Sequence, residues 1–202
     1  MKICFFGDSF TNGVGDDECL GWVGRVCAEQ RKAGVDLTSY NLGIRGNTSA
    51  DILGRWQQEA HARLDGADVS ASEGRVVFAF GTNDCAKGDD GRSRLPQNER
   101  LKNARAILVA APKSWPTLFI GPLPIADDPV ANKRIADLSR QIGVFAKAHH
   151  VDYLDVFSAA HASEIWRDEC LKGDGAHPGA AGYELVAALV SEWNAWQAWF
   201  KA

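Results

Sequence analysis

Short apolar runs alternate with longer stretches of helical periodicity along the chain, and this alternation most limits the folds open to it. The runs at 2–6, 37–42, 75–80, 117–120 and 153–156 are bounded by turn-forming residues and read as strands. The stretches 21–32, 48–62, 97–111, 129–148 and 179–200 read as helices, with a shorter one near 163–170. Strand–helix alternation implies parallel pairing, because a parallel neighbour is reached only through a crossover, usually a helix. The expected architecture is a three-layer α/β/α sandwich around a five-stranded parallel sheet, flavodoxin-like in its layering. No repeat, low-complexity tract or linker divides the sequence, so 1–202 reads as a single domain. A chain of 202 residues is long enough to bury a full core.

Charge and cysteine usage narrow the function. The net charge of -4 argues against a nucleic-acid partner, which would need a basic face. No apolar run approaches the ~18 residues of a membrane span. The opening MKICFFGDSF has a single lysine and too short an apolar stretch for a secretory leader. The five cysteines (Cys4, Cys19, Cys27, Cys85 and Cys170) are odd in number and form no CxxC pair. That usage suits reduced thiols, and the expected location is cytoplasmic.

Ligands of open parallel sheets gather beyond the carboxyl ends of the strands, where strand order reverses. Four polar or glycine-rich segments fall there. Gly7-Asp8-Ser9 follows the first strand, and the second leads into NLGIRGNTS, 41–49. Gly81-Thr82-Asn83-Asp84 follows the third, and Asp174-Gly175-Ala176-His177-Pro178 comes after the last strand and the short helix. Together they hold what serine acyl transfer requires. A serine hydroxyl is a poor nucleophile until a neighbouring base takes its proton. His177 can be that base for Ser9, with Asp174 on its other ring nitrogen to hold the tautomer and steady the imidazolium. The developing oxyanion needs donors set in advance, for which the candidates are the Ser9 N–H, the Gly46 N–H and the Asn83 carboxamide. Glycine at 46 is expected to let the backbone approach the substrate closely.

These blocks resemble those of the GDSL esterase/lipase family, the SGNH hydrolases. GDSFTNGVG is similar to the family's first block with Phe10 in place of leucine, NLGIRGNTS to its second, GTND to its third and DGAHP to its last. The blocks run from 7 to 177 in the family's order. Matched residue by residue, the resemblance implies Ser9 as nucleophile, Asp174 and His177 as acid and base, and Ser9, Gly46 and Asn83 as the oxyanion hole. It implies a serine esterase that uses no cofactor and no metal. Phe10 is expected to point inward. Small or short-chain acyl esters suit a sequence without a long hydrophobic insertion; a lysophospholipase, a thioesterase or a sugar O-deacetylase would use the same machinery.

Each block has a plainer reading. Ser9 could cap a helix, GTND could close a strand as an Asx-turn, and His177 could be a surface loop residue. A flavodoxin-like binding module is the rival from outside enzymology, but neither a GxxxxGK[ST] loop nor a strand-following GxGxxG is present. GxSxG is also missing. His149 and His150 end a helix, His61 and His161 read as solvated surface, and Asp89-Asp90 reads as an exposed loop. Loops 85–96 and 122–128 are expected to wall the site. At the C-terminus, Trp193, Trp196 and Trp199 recur every third residue along one expected helix. That stripe suits core packing, with a homodimer interface as its alternative.

Overall fold

The computed structural model describes residues 1–65, 73–88 and 90–201. Its strands are β1 (Lys2–Gly7), β2 (Thr38–Gly43), β3 (Gly74–Ala79), β4 (Thr117–Ile120) and β5 (Asp152–Leu154). All neighbours pair in parallel, in the order β2-β1-β3-β4-β5. The helices are α1 (Ser9–Asn12), α2 (Gly21–Lys32), α3 (Ser49–Leu64), α4 (Thr82–Cys85), α5 (Gln97–Ala110), α6 (Pro129–Ala148), α7 (Phe157–Ala162), α8 (Glu164–Lys172), α9 (Ala180–Glu192) and α10 (Asn194–Ala198). The fold is the three-layer α/β arrangement that the alternation implies.

The inner strand β1 shows why. Ile3, Cys4, Phe5 and Phe6 have no solvent exposure, the continuous apolar run of a strand covered on both faces. Successive side chains of a strand point to opposite faces. Phe5 accordingly meets Trp22 of α2 edge-on at 5.8 Å and lies 6.2 Å from Trp196. Phe6 meets Trp56 of α3 edge-on and stacks on Phe78 of β3 at 5.4 Å. Helices α2 and α9 pack together over one face, and α3, α5 and α6 pack in sequence over the other.

The chain leaves β1 for β2 on one side and returns to β3 on the other. This reversal opens a crevice at the carboxyl ends of β1 and β3. Ser9 opens the short helix after β1, and Asn83 lies in the short helix after β3.

The short helices α1, α4 and α7 have no counterpart among the expected elements, and two expected elements take a different course. The last strand ends at Leu154 rather than running to 156, because Asp155 turns the chain: its carboxylate accepts the Phe157 N–H (3.0 Å) and the Ser158 hydroxyl (2.7 Å). The C-terminal helix is not one piece over 179–200. It breaks at Trp193, whose backbone is extended (ψ 122), and resumes as α10. Residues three apart drift about 60° around a helix, so an unbroken helix would fan the three indoles apart. The break turns Trp196 under the sheet, where it is 1% exposed and packs on Trp199 and Phe200 as well as Phe5. Trp193 and Trp199 are only partly buried against the same cluster.

Among the described residues no helix is long and apolar enough to cross a membrane. All five cysteines are free thiols, and only Cys19 is exposed. Trp196→Ala should destabilise the fold by about 3–5 kcal/mol, the range for emptying a buried aromatic site, and Trp193→Ala by clearly less. Chemical denaturation of the two variants measures this; equal losses would contradict the packing described.

Candidate active site

The nucleophile segment is built by the end of β1. Gly7 ends the strand, Asp8 caps α1 by accepting the Phe10 N–H (3.0 Å), and Ser9 is the first helical residue. Ser9 therefore does not cap the helix; Asp8 does. With Asp8 at the cap, the Ser9 hydroxyl is left for another partner. That partner is His177, whose Nε2 lies 2.7 Å from Ser9 Oγ. Phe10 does point inward, 4% exposed, stacked on Trp166 and 4.9 Å from the His177 ring.

The histidine arrives on a turn shaped by Asp174. One carboxylate oxygen accepts the N–H of Ala176 (3.0 Å) and of His177 (2.9 Å), while the other lies 2.7 Å from His177 Nδ1. Burial by itself would raise the Asp174 pKa. The hydrogen bonds from the His177 and Ala176 N–H groups and the imidazole outweigh it and hold the carboxyl down at about 2. Arg45 adds a longer ion pair at 3.6 Å. The turn is pressed against the segment following α1: a Cβ on Gly15 (φ +93) would meet the Pro178 carbonyl at 2.6 Å, and the Tyr183 hydroxyl donates to Val14 O at 2.7 Å.

The second and third segments are tied to each other. Thr48 caps α3 in a reciprocal capping box with Asp51, which fixes where Gly46 and Asn47 leave the helix. The Asn83 carboxamide donates from Nδ2 to Asn47 O (3.1 Å) and accepts at Oδ1 from Arg94 (3.2 Å). Asp84 accepts the Ser49 N–H (2.6 Å), a second tie between the same segments. Below them Arg55 donates to Gly7 O (3.1 Å), Leu42 O (2.8 Å) and Asn47 Oδ1 (2.9 Å), joining the ends of β1 and β2. The backbone N–H groups of Ser9 and Gly46 have no acceptor among the described residues.

Glycine at 46 also answers a backbone requirement: its φ is +80, and a Cβ there would meet no protein atom within 4 Å.

Residues 5–185 match the GDSL-like lipase/acylhydrolase family. The chain belongs to the GDSL-like lipase/acylhydrolase family. Its class of chemistry is therefore the hydrolysis of ester bonds. A lipase/acylhydrolase from Enterococcus faecalis superposes with a TM-score of 0.71 at 26% identity, over 94% of this chain and 93% of that one. An acetylxylan esterase from Geobacillus stearothermophilus shares the fold (TM-score 0.71, 20% identity, 93% of this chain and 91% of that one). An uncharacterised Bacillus subtilis protein, YpmR, is 32% identical over 92 residues. That match spans 43% of this chain and only 33% of YpmR.

In this GDSL-like hydrolase, residues of loops 85–96 and 122–128 border a cleft of about 650 Å³ whose lining mixes charged side chains (Lys87, Asp127, Asp128, Arg134) with the apolar Ile125 and Val130; none of Ser9, Asp174 and His177 lines it. Asp127 reaches Gly175, two residues before His177. Asp89 of the first loop lies outside the described residues. The other histidines sit elsewhere: His61 pairs with Asp65, His149 stacks on Phe145, His161 stacks on Phe157, and His150 is exposed. Among the described residues no group of three His, Cys, Asp or Glu side chains could hold a metal ion.

Two buried acids, Asp8 and Asp84, lie beneath the crevice. Burial pushes Asp8 up to about 7, helped by the nearby Asp84 and opposed by the Phe10 N–H. Burial pushes Asp84 up to about 6, opposed by the Ser49 N–H. The Asp84 Oδ2 has no hydrogen-bond partner among the described residues. A carboxyl whose folded pKa exceeds its ordinary value keeps a proton that the unfolded chain releases. Its contribution to stability is therefore present below about pH 4 and lost as pH rises toward 7. Asp8→Asn keeps an acceptor for the Phe10 N–H and does not titrate. The Tm of Asp8→Asn minus that of the wild type should grow between pH 4 and 8, and parallel curves would count against the buried, protonated Asp8.

Proposed function

We propose that this GDSL-like hydrolase cleaves carboxylic esters of small acyl groups with Ser9 as nucleophile. His177 accepts the Ser9 proton at Nε2 as Oγ attacks the ester carbonyl, and its Nδ1–H donates to Asp174, which steadies the imidazolium. The carbonyl oxygen becomes an oxyanion held by the Ser9 N–H, the Gly46 N–H and Asn83 Nδ2. Collapse of the tetrahedral intermediate breaks the bond to the alcohol, which leaves with the proton from His177. Water then repeats the sequence on the acyl-serine: His177 takes its proton, the intermediate collapses, and the carboxylic acid leaves as Ser9 recovers its own. The observation that carries this reading is the continuous relay from Ser9 Oγ through both ring nitrogens to Asp174, with 2.7 Å at each step.

The sequence carries no long hydrophobic insertion that would seat a hydrocarbon chain, which favours a short acyl group. The likeness in fold to an acetylxylan esterase agrees with an acetyl ester of a polyhydroxylated alcohol.

Ser9→Ala should lower kcat by about 10⁴- to 10⁶-fold on p-nitrophenyl acetate while leaving the circular dichroism spectrum unchanged. Retention of a tenth of wild-type turnover would remove Ser9 from the mechanism. Along a p-nitrophenyl series, kcat/KM should fall steeply from acetate to octanoate; a rise would refute the small-acyl reading. With its carboxyl held at about 2, Asp174 is ionised from pH 4 upward and adds no inflection to the rate there. Asp174→Asn should lose about 10²- to 10⁴-fold in kcat, because an amide favours the wrong tautomer and cannot stabilise the imidazolium.

A further inference from the structure

The Asn83 carboxamide is held at both ends, and the two partners differ in kind. Asn47 O can only accept a hydrogen bond, so it selects the nitrogen of the amide. The guanidinium of Arg94 can only donate, so it selects the oxygen. A carboxamide set between an acceptor-only and a donor-only group has one stable orientation. In that orientation one Nδ2–H is spent on Asn47 and the other is left to point at a ligand. Were the amide turned over, Oδ1 would face Asn47 O, and the site would present an acceptor where an oxyanion must sit.

We infer that Arg94 is a positioning residue for the oxyanion hole, locking the Asn83 amide and polarising it. This inference rests on the reading of Asn83 as an oxyanion donor. A cation on Oδ1 draws electron density through the amide and strengthens the N–H as a donor, as charge-assisted and chained hydrogen bonds do. The effect grows as negative charge develops on the substrate oxygen, so it belongs to the transition state more than to substrate binding.

The backbone around Arg94 is framed independently of its side chain. The Arg94 N–H donates to Ala86 O (3.0 Å), the Leu95 N–H to Asp84 O (3.1 Å), and Lys87 pairs with Ser93 across the loop. The buried Arg100 holds Leu95 O (2.8 Å) and Ser93 Oγ (2.6 Å) from beneath. The exposed Arg94 side chain is thus delivered to Asn83 by a built loop, and replacing it leaves that frame in place.

The test is a double-mutant cycle on p-nitrophenyl acetate, with Tm measured for each variant. Arg94→Ala and Arg94→Gln should each lower kcat about ten-fold, the size of one charge-assisted hydrogen bond, with KM and Tm little changed. Glutamine fails here because its own amide can pair with either end of Asn83, so it restores no preference. Arg94→Lys, donor-only like arginine, should recover most of kcat. On an Asn83→Ala background, Arg94→Ala should cost nothing further, since the arginine acts through the amide. Unchanged kcat in Arg94→Ala, a rise confined to KM, or a full ten-fold loss persisting without Asn83 would each overturn the inference. If Asn83→Ala alone left kcat intact, the oxyanion-hole reading would fail instead, and the two failures are told apart by that single variant.

Discussion

The hydrogen bond between Ser9 Oγ and His177 Nε2 joins residues 168 positions apart, and the rest of the site depends on its being made. Neither side chain reaches the other through local structure. Ser9 is set by the end of a strand buried on both faces, and His177 by a turn just ahead of α9. What brings them together is packing between the two segments: Gly15 lies against His177 and Pro178, Tyr183 holds Val14 O, and Phe10 sits beneath the imidazole. Freedom of position has been removed by tertiary contacts before any substrate arrives, which is where much of the advantage of an enzyme site comes from.

Three carboxyls around this bond sit in three electrostatic conditions. Asp174 is half-exposed and collects N–H donors, so it stays charged; Asp8 and Asp84 are buried with fewer donors than a carboxylate can use, and both are driven toward the neutral form. The charged acid is the one that faces the imidazole. The buried ones serve as acceptors for helix N-termini, Asp8 for α1 and Asp84 for α3, and so tie the ends of β1 and β3 to the segments that carry Ser9 and Gly46. Local capping chemistry and the architecture of the candidate oxyanion hole are thus the same set of bonds.

Much of this was legible from residue order. Unbroken apolar runs such as Ile3 to Phe6 and the turn signals after them were enough to lay out a parallel sheet, because burial on both faces leaves no alternation to misread. The residues now seen in contact, Ser9, Asp174 and His177, lie in segments that topology alone sends to one edge. Details decided by tertiary contact were not legible. The break at Trp193 depends on the pocket that receives Trp196, the early end of β5 on the turn made by Asp155, and the need for glycine at 46 on a positive φ. Asn47, Arg55, Asp84 and Arg94 escaped notice as site residues because each works through a backbone carbonyl, a backbone N–H or another side chain; Asn47, adjoining Gly46, and Asp84, adjoining Asn83, carried a signal that could have been followed.

The central claim is that the hydroxyl of Ser9 is activated in the folded protein by the His177–Asp174 pair. An organophosphonate ester tests it most directly, since it reacts with an activated serine and stays bound as a covalent adduct. Intact-mass and peptide mass spectrometry should find one adduct per chain, on the peptide carrying Ser9, with loss of esterase activity in step with labelling. His177→Ala should label far more slowly. A protein that hydrolyses esters at full rate while Ser9 stays unmodified, or that is labelled and inactivated at another residue, would contradict the account.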